Sequence, residues 1–452
     1  MPLVISLLII LLTVPVWGAQ KDSPQTGAKE TVVYPKVLPM KERAKLRDQW
    51  LTKRLDTIVP ALMRERGIDM WVLIAREYNE DPVVKTMLPA TWLSARRRTI
   101  LIFHDTGETV ERFAVSRYAV GENFKAVWDP EEEPDQMQRV AEIIQARNPR
   151  RIALNISNDY ALADGLSYGQ YLWFARAIGG EFTGRITTDH HLSIGWLERR
   201  IPGEVAYYPQ IVGLAHAIIH EGFSNKVITP GKTKTEDVVW WFRDKIRAMG
   251  VTAWFHPTVS IQRQKSLDQG HAAQFENKSD SVIRRGDLLH VDFGITYLGL
   301  NTDTQHHAYV LKKGEKDAPA GIKAAFKQAN QLQDILTGGF QAGISGNDLL
   351  KISRQKAIKQ GLEPSIYTHP IGFHGHGAGA TIGLWDQQGG VKGRGDYPIK
   401  PHTAWSIELS NQSIIPEWGN QKIRIMLEED AYFDGHKVRY LDGRQTRLHL
   451  IN

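Results

Sequence analysis

Two aspartates, Asp292 and Asp303, stand inside apolar, β-like sequence: Leu288-Leu289-His290-Val291-Asp292-Phe293-Gly294-Ile295-Thr296-Tyr297, then Asn301-Thr302-Asp303-Thr304. Gly294 and Gly299 between them permit a turn, so the two runs can pair as antiparallel neighbours and point both carboxylates into one space. Like charges in such a mostly buried place need a cation or hydrogen-bond donors to stay ionised. Two ordinary turn aspartates would look the same in isolation, so the weight falls on what accompanies them.

The chain has 452 residues, 42% hydrophobic and 23% charged, with 56 Lys+Arg against 50 Asp+Glu and no cysteine. At roughly 100–200 residues per domain there is room for two or three domains with real cores, which excludes disorder and small disulfide scaffolds. Without cysteine there are no zinc fingers, iron–sulfur clusters, thiol nucleophiles or redox pairs. Metals must be held by His, Asp and Glu. The longest basic run is Arg96-Arg97-Arg98, in a chain of formal charge +6, so no nucleic-acid partner is expected. Eleven of the 16 histidines lie from His256 onward, which places the chemistry in the C-terminal half.

Residues 3–16 are an apolar stretch of 14 residues, shorter than the roughly 20 that a membrane span needs. Val16-Trp17-Gly18 then offers a cleavage site before Ala19. The stretch reads as a signal peptide over residues 1–18, followed by a polar arm over 19–39, and it implies a periplasmic or secreted protein without stable membrane insertion. No Lys or Arg precedes it, and an uncleaved anchor or a buried N-terminal helix is the alternative. The missing cysteines fit an oxidising compartment.

Leu46, Trp50, Leu51, Leu55, Ile58 and Leu62 recur at helical spacing over residues 40–67, with Gly67 as the stop. Short β-like runs follow at 70–75, 99–103 and 112–120, then a helix over 136–147 and a strand over 151–156, together a small α/β domain over residues 40–190. Residues 188–202 read as turn. Helical periodicity covers 204–222 and 235–250, each closing at a glycine. The texture then becomes β over 288–297, 302–311, 404–415 and 423–433. Helices at 321–336 and 345–360 are interposed, the second with Ser345 as N-cap. The second half, residues 195–452, is therefore α+β.

Within it, His369-Pro370-Ile371-Gly372-Phe373-His374-Gly375-His376-Gly377-Ala378-Gly379 gathers three imidazoles in eight residues, with glycines that permit close approach. Ser406-Ile407-Glu408-Leu409 puts an acid inside a strand, and Arg424-Ile425-Met426-Leu427-Glu428-Glu429-Asp430 puts acids at the end of another. Four carboxylates and one imidazole on β-like sequence can hold two divalent ions.

An Asp, a second Asp eleven residues on, a GHGxG segment, a strand Glu and a final Glu, in this order, resemble the metal-dependent peptidase family with the pita-bread fold. That family includes methionine aminopeptidase, Xaa-Pro aminopeptidase and prolidase. The resemblance covers about residues 195–445, and the preceding α/β domain is similar to the creatinase-type N-terminal domain of the longer members. It implies that Asp292 chelates one metal, that Asp303 and the last Glu bridge both, and that His376 with Glu408 complete the other. The last Glu is read as Glu428, because the resemblance places the ligand first in an acidic triplet on a strand and Glu428 shares one face with Arg424 and Met426 at period two, with Glu429 in reserve. His369 is the alternative to His376, because it lies seven residues before it, the interval from ligand to second histidine in relatives. Carboxylates with one imidazole favour two Mn²⁺ ions, with Co²⁺ or Zn²⁺ as alternatives.

The activity implied is peptide hydrolysis by a metal-bridging hydroxide, with Glu408 as proton shuttle and His271, His369 and His374 as histidines for the substrate side. The substrate expected is a dipeptide or a peptide N-terminus, cleaved at Xaa-Pro bonds, and the protein is expected to be a homodimer. Gly372 and Trp385 stand where Xaa-Pro-specific relatives carry histidines, which weakens that specificity. Trp385 reads either as the wall of an apolar pocket or as core. A non-catalytic binding protein on the same fold, or a C–N bond hydrolase resembling creatinase, is the alternative.

Overall fold

The computed structural model describes residues 32–265 and 281–452. The signal-peptide reading and His271 lie outside these residues.

The apolar stripe of the first helix becomes the buried side of Met40–Arg66, a 27-residue helix closed by Gly67 in the left-handed conformation (φ 60°). It packs on a six-stranded sheet in the order Lys125–Ala126, Val110–Val115, Arg98–Asp105, Met70–Arg76, Ile152–Leu154, Ile186–Thr187. Alternation divides Met70–Arg76 between two cores: Trp71, Leu73 and Ala75 face one side, while Met70, Val72 and Ile74 face helices Gln136–Arg147 and Tyr168–Thr183 on the other. Because both faces are covered, the strand reads as one apolar run.

Residues 188–202 differ from the turn expected. They hold the helix His191–Glu198, in which every residue from Leu192 to Glu198 is buried. Such a helix has no polar face, and without one the 3.6-residue periodicity gives no signal.

The C-terminal half is built on three larger sheets. One runs in the order His449–Ile451, Thr304–Val310, Leu288–Phe293, Thr258–Gln262, and it contains the expected antiparallel pairing, with Asp292 opposite Gln305. The others are Glu363–Ile366, Leu409–Ile415, Gln421–Leu427 and His369–Ile371, Thr403–Ser406, Asp430–Phe433, Val438–Tyr440. Three chain segments pass through both of these sheets. Each breaks for two residues at the same level, at 367–368, 407–408 and 428–429. The backbone stays bonded across this seam, from Tyr367 N to Glu408 O (3.1 Å) and from Ile407 N to Glu429 O (2.9 Å). Helices Ala320–Thr337 and Gly346–Lys359 flank the sheets, and the Ser345 hydroxyl accepts from Asp348 N as the cap. Among the described residues no helix is long and apolar enough to cross a membrane.

Gly294 fixes how the aspartate strands leave their sheet. A Cβ there would lie 2.3 Å from the Trp254 indole nitrogen and 2.5 Å from both Phe255 and Thr302 O. Gly294→Ala is expected to destabilise the protein by about 1–3 kcal/mol through overpacking, read as a lower melting temperature.

Candidate metal centre

Asp292 is the last residue but one of the strand Leu288–Phe293, and Asp303 immediately precedes the strand Thr304–Val310. The hairpin tip between them turns on Leu298 and Gly299, both at positive φ (57° and 79°). Glu408 and Glu428 both sit in the seam. At Glu428 the chain bonds across to the aspartate hairpin, Gln305 N to Glu428 O (3.0 Å) and Glu428 N to Gln305 O (3.3 Å). His369 pairs with Ser406 across the adjoining strands. Three stretches distant in sequence thus converge because one strand break is shared.

Ligand atoms of Asp292, Asp303 and Glu428 lie within 4.8 Å of one another, and so do those of His369, Glu408 and Glu428. His369 Nε2 stands 3.5 Å from Glu428, 3.8 Å from Asp303 and 3.9 Å from Glu408. Asp303 and Glu428 therefore face both groups. His369, held in reserve by the sequence reading, is the imidazole among the carboxylates. His376, the preferred ligand there, also comes within 4.8 Å of Asp303 and His369, but it is exposed and borders a cavity. Glu429 turns to the opposite side and has no part in this group.

Burial, followed by repulsion from Glu428, raises the pKa values of Asp292, Asp303 and Glu408 well above the ordinary carboxylate range. Asp303 Oδ1 and His369 Nε2 are buried with no hydrogen-bond partner. Each such orphan costs about 1–3 kcal/mol. Clustered acids, a neighbouring imidazole and unpartnered atoms aimed together are what a divalent cation would satisfy, and the residues fit one.

Contacts that the sequence reading missed hold these ligands in place. Gln305 Nε2 donates to Glu408 (2.8 Å) and Glu428 (2.7 Å), while its carbonyl oxygen meets His290 Nε2 at 2.9 Å. The Ser406 hydroxyl donates to Glu428 at 2.5 Å. Such outer contacts fix ligand orientation. A signal for them was present: Gln305 is polar within the fully buried strand Thr304–Val310.

The cavity beside the centre holds about 540 Å³ and is walled by Trp50, Leu51, Leu88 and Phe373 together with His374 and His376. Burial, helped by Arg200 and Lys85, lowers the His374 pKa to about 4, so this imidazole is neutral at pH 7. Gly375 is required here, since a Cβ would meet the Trp254 ring at 2.3 Å. Trp385 is 73% exposed and neither lines this cavity nor packs in the core, against both readings of it.

Strands that cross from sheet to sheet with carboxylates at the seam, behind an N-terminal α/β layer, are the pita-bread fold. Residues 210–432 match the model of metallopeptidase family M24, and that part of the chain belongs to this family of peptidases. Among solved structures, the chain is similar to an X-Pro aminopeptidase from Thermotoga maritima (17% identity, TM-score 0.60, covering 85% of this chain and 99% of that one). It is also similar to an Xaa-Pro dipeptidase from Bacillus anthracis (17%, 0.57, 91% and 100%) and a prolidase from Pyrococcus horikoshii (14%, 0.54, 89% and 99%). These likenesses are of fold. No curated protein sequence matches the chain.

Proposed function

We propose that the protein is an exported peptidase that uses two divalent ions to hydrolyse Xaa-Pro bonds, in dipeptides or at peptide N-termini. The observation that carries this reading is the sharing of Asp303 and Glu428 between two ligand groups. Asp292, Asp303 and Glu428 would hold one ion, and His369 and Glu408 with the same two carboxylates the other. Oxygen-rich ligands with a single imidazole suit Mn²⁺. Bound there, such ions supply an acidified water and a polarised carbonyl at neutral pH. Glu408, with one oxygen held by Gln305 and the other toward His369, is placed to carry the proton. His374 and His376 face the substrate side, and the apolar wall from Trp50 to Phe373 suits a proline ring or an aliphatic side chain. The names of the three structural relatives support the Xaa-Pro preference. Export rests on residues 1–18 alone.

A panel of Xaa-Pro dipeptides and longer peptides should be turned over with Mn²⁺, not after chelation, and again when Mn²⁺ is restored. If no peptide is cleaved under any of these conditions, the reading fails. In the same assay His369→Asn should weaken metal binding at least about 100-fold, the scale on which metal-site contacts act. His376→Asn should keep its ions and lose mainly kcat, on the order of 10²–10³-fold. A mature chain isolated from the periplasm should begin at Ala19.

A further inference from the structure

The residue after Glu428 points its carboxylate away from the peptidase centre into a second group of histidines. Glu429 is 1% exposed. Its oxygens lie 3.0 Å from His306 Nε2 and 3.2 Å from His216 Nε2, and all three ligand atoms fall within 4.8 Å of one another. His216 comes from the helix Pro202–Gly222 and His306 from the strand Thr304–Val310.

The remaining nitrogen of each imidazole is engaged. His216 Nδ1 faces Asp442 at 3.1 Å and His306 Nδ1 faces His449 Nε2 at 3.5 Å. Gln445 N donates to Glu429 at 2.6 Å. Partners of this kind on the outer nitrogen select the tautomer that leaves Nε2 free for a metal. His216 Nε2 and Glu429 Oε2 are buried, and although they are 3.2 Å apart neither makes a well-directed hydrogen bond. They aim past each other. Ligand atoms of a tetrahedral zinc site with bonds of about 2.0–2.1 Å stand roughly 3.3 Å apart, close to the two separations between Glu429 and the imidazoles.

We propose that His216, His306 and Glu429 form a second metal site, chemically distinct from the peptidase centre, that takes Zn²⁺. Two imidazoles with one carboxylate are a nitrogen-rich set, against the carboxylate-rich set of the first centre. The ion would tie the helix Pro202–Gly222 to the strand that directly follows Asp303 and to the segment that carries Glu428, so its role is to position those ligands. This second site is independent of the peptidase specificity proposed above.

The alternative occupant is a proton. Burial lowers the His216 pKa, but its contacts with Asp442 and Glu429 outweigh burial and raise the value to about 10. The cluster would then be an imidazolium between two carboxylates.

Full-length protein is stripped with a chelator, dialysed against Zn²⁺ alone, and its zinc counted per chain by mass spectrometry. His216→Asn is expected to bind one ion fewer than the parent, with Zn²⁺ affinity at this site reduced at least about 100-fold. The same comparison in an Asp303→Asn background, where the peptidase centre is disabled, should again show a loss of one ion. Circular dichroism establishes that each variant is folded, and His306→Asn replaces any that is not. An unchanged zinc count in folded His216→Asn and His306→Asn proteins would overturn the proposal and leave the buried ion pair.

Discussion

Asp303→Asn should abolish peptide hydrolysis and yet raise the melting temperature of the metal-free protein. Asp303 is 3% exposed and faces both ligand groups. Burial first, then Glu428, Asp292, Glu408 and Asp430, push its pKa up. Without ions the folded chain therefore either buries a charge among charges or takes up a proton that the unfolded chain would release, and both states cost free energy. Asparagine keeps the shape and removes that cost, which should stabilise the metal-free protein by on the order of 1–2 kcal/mol. With metal the sign reverses, because a shared ligand is gone. Activity should fall by at least about 10³-fold, equivalent to roughly 4 kcal/mol of barrier. Calorimetry of chelated parent and variant, beside an assay of the Mn²⁺-loaded proteins, reads both halves. A variant that melts lower than its parent without metal would show that repulsion does not dominate this centre.

What could be read in advance was what leaves a local signature. The helix Met40–Arg66 and the Asp292/Asp303 hairpin announce themselves through apolar spacing and through the glycines that end or turn them. The preference for Glu428 over Glu429 rests on the family resemblance, which puts the ligand first in an acidic triplet, and on period two, since neighbouring residues on extended chain face opposite ways; the two carboxylates do lie in different groups. His369 and His376 could not be separated in this way. Both lie in one glycine-rich stretch, and what seats His369 among the carboxylates is its pairing with Ser406 across a strand break shared by three segments. That is a tertiary event with no local code. The helix His191–Glu198 escaped because burial on all sides removes the contrast that periodicity measures. Gln305 escaped because a polar residue in a buried strand shows that something needs it, not what.

Chelation should leave a protein that grows less stable as pH rises. Asp292, Asp303 and Glu408 all have folded pKa values raised, chiefly by burial and then by Glu428, above unfolded values of about 3.9 for Asp and 4.3 for Glu. Between those unfolded values and the raised ones, the folded chain holds more protons than the unfolded chain. Stability is then greatest below the unfolded values and is lost as pH climbs through the window. A tenfold change in the proton affinity of one carboxylate corresponds to about 1.36 kcal/mol, and three interacting groups titrate together. Ions change the direction, because they bind the ionised carboxylates and release the protons that metal-free folding retains. At a free Mn²⁺ concentration of about 100 times Kd the added stability is about 2.7 kcal/mol, and Kd itself should tighten with pH. The gap in melting temperature between Mn²⁺-loaded and chelated protein is therefore the quantity to follow, since titrations elsewhere in the chain cancel from it. That gap should widen steadily from about pH 5 to pH 8, and a gap that stays constant would mean these carboxylates are not raised in the metal-free fold.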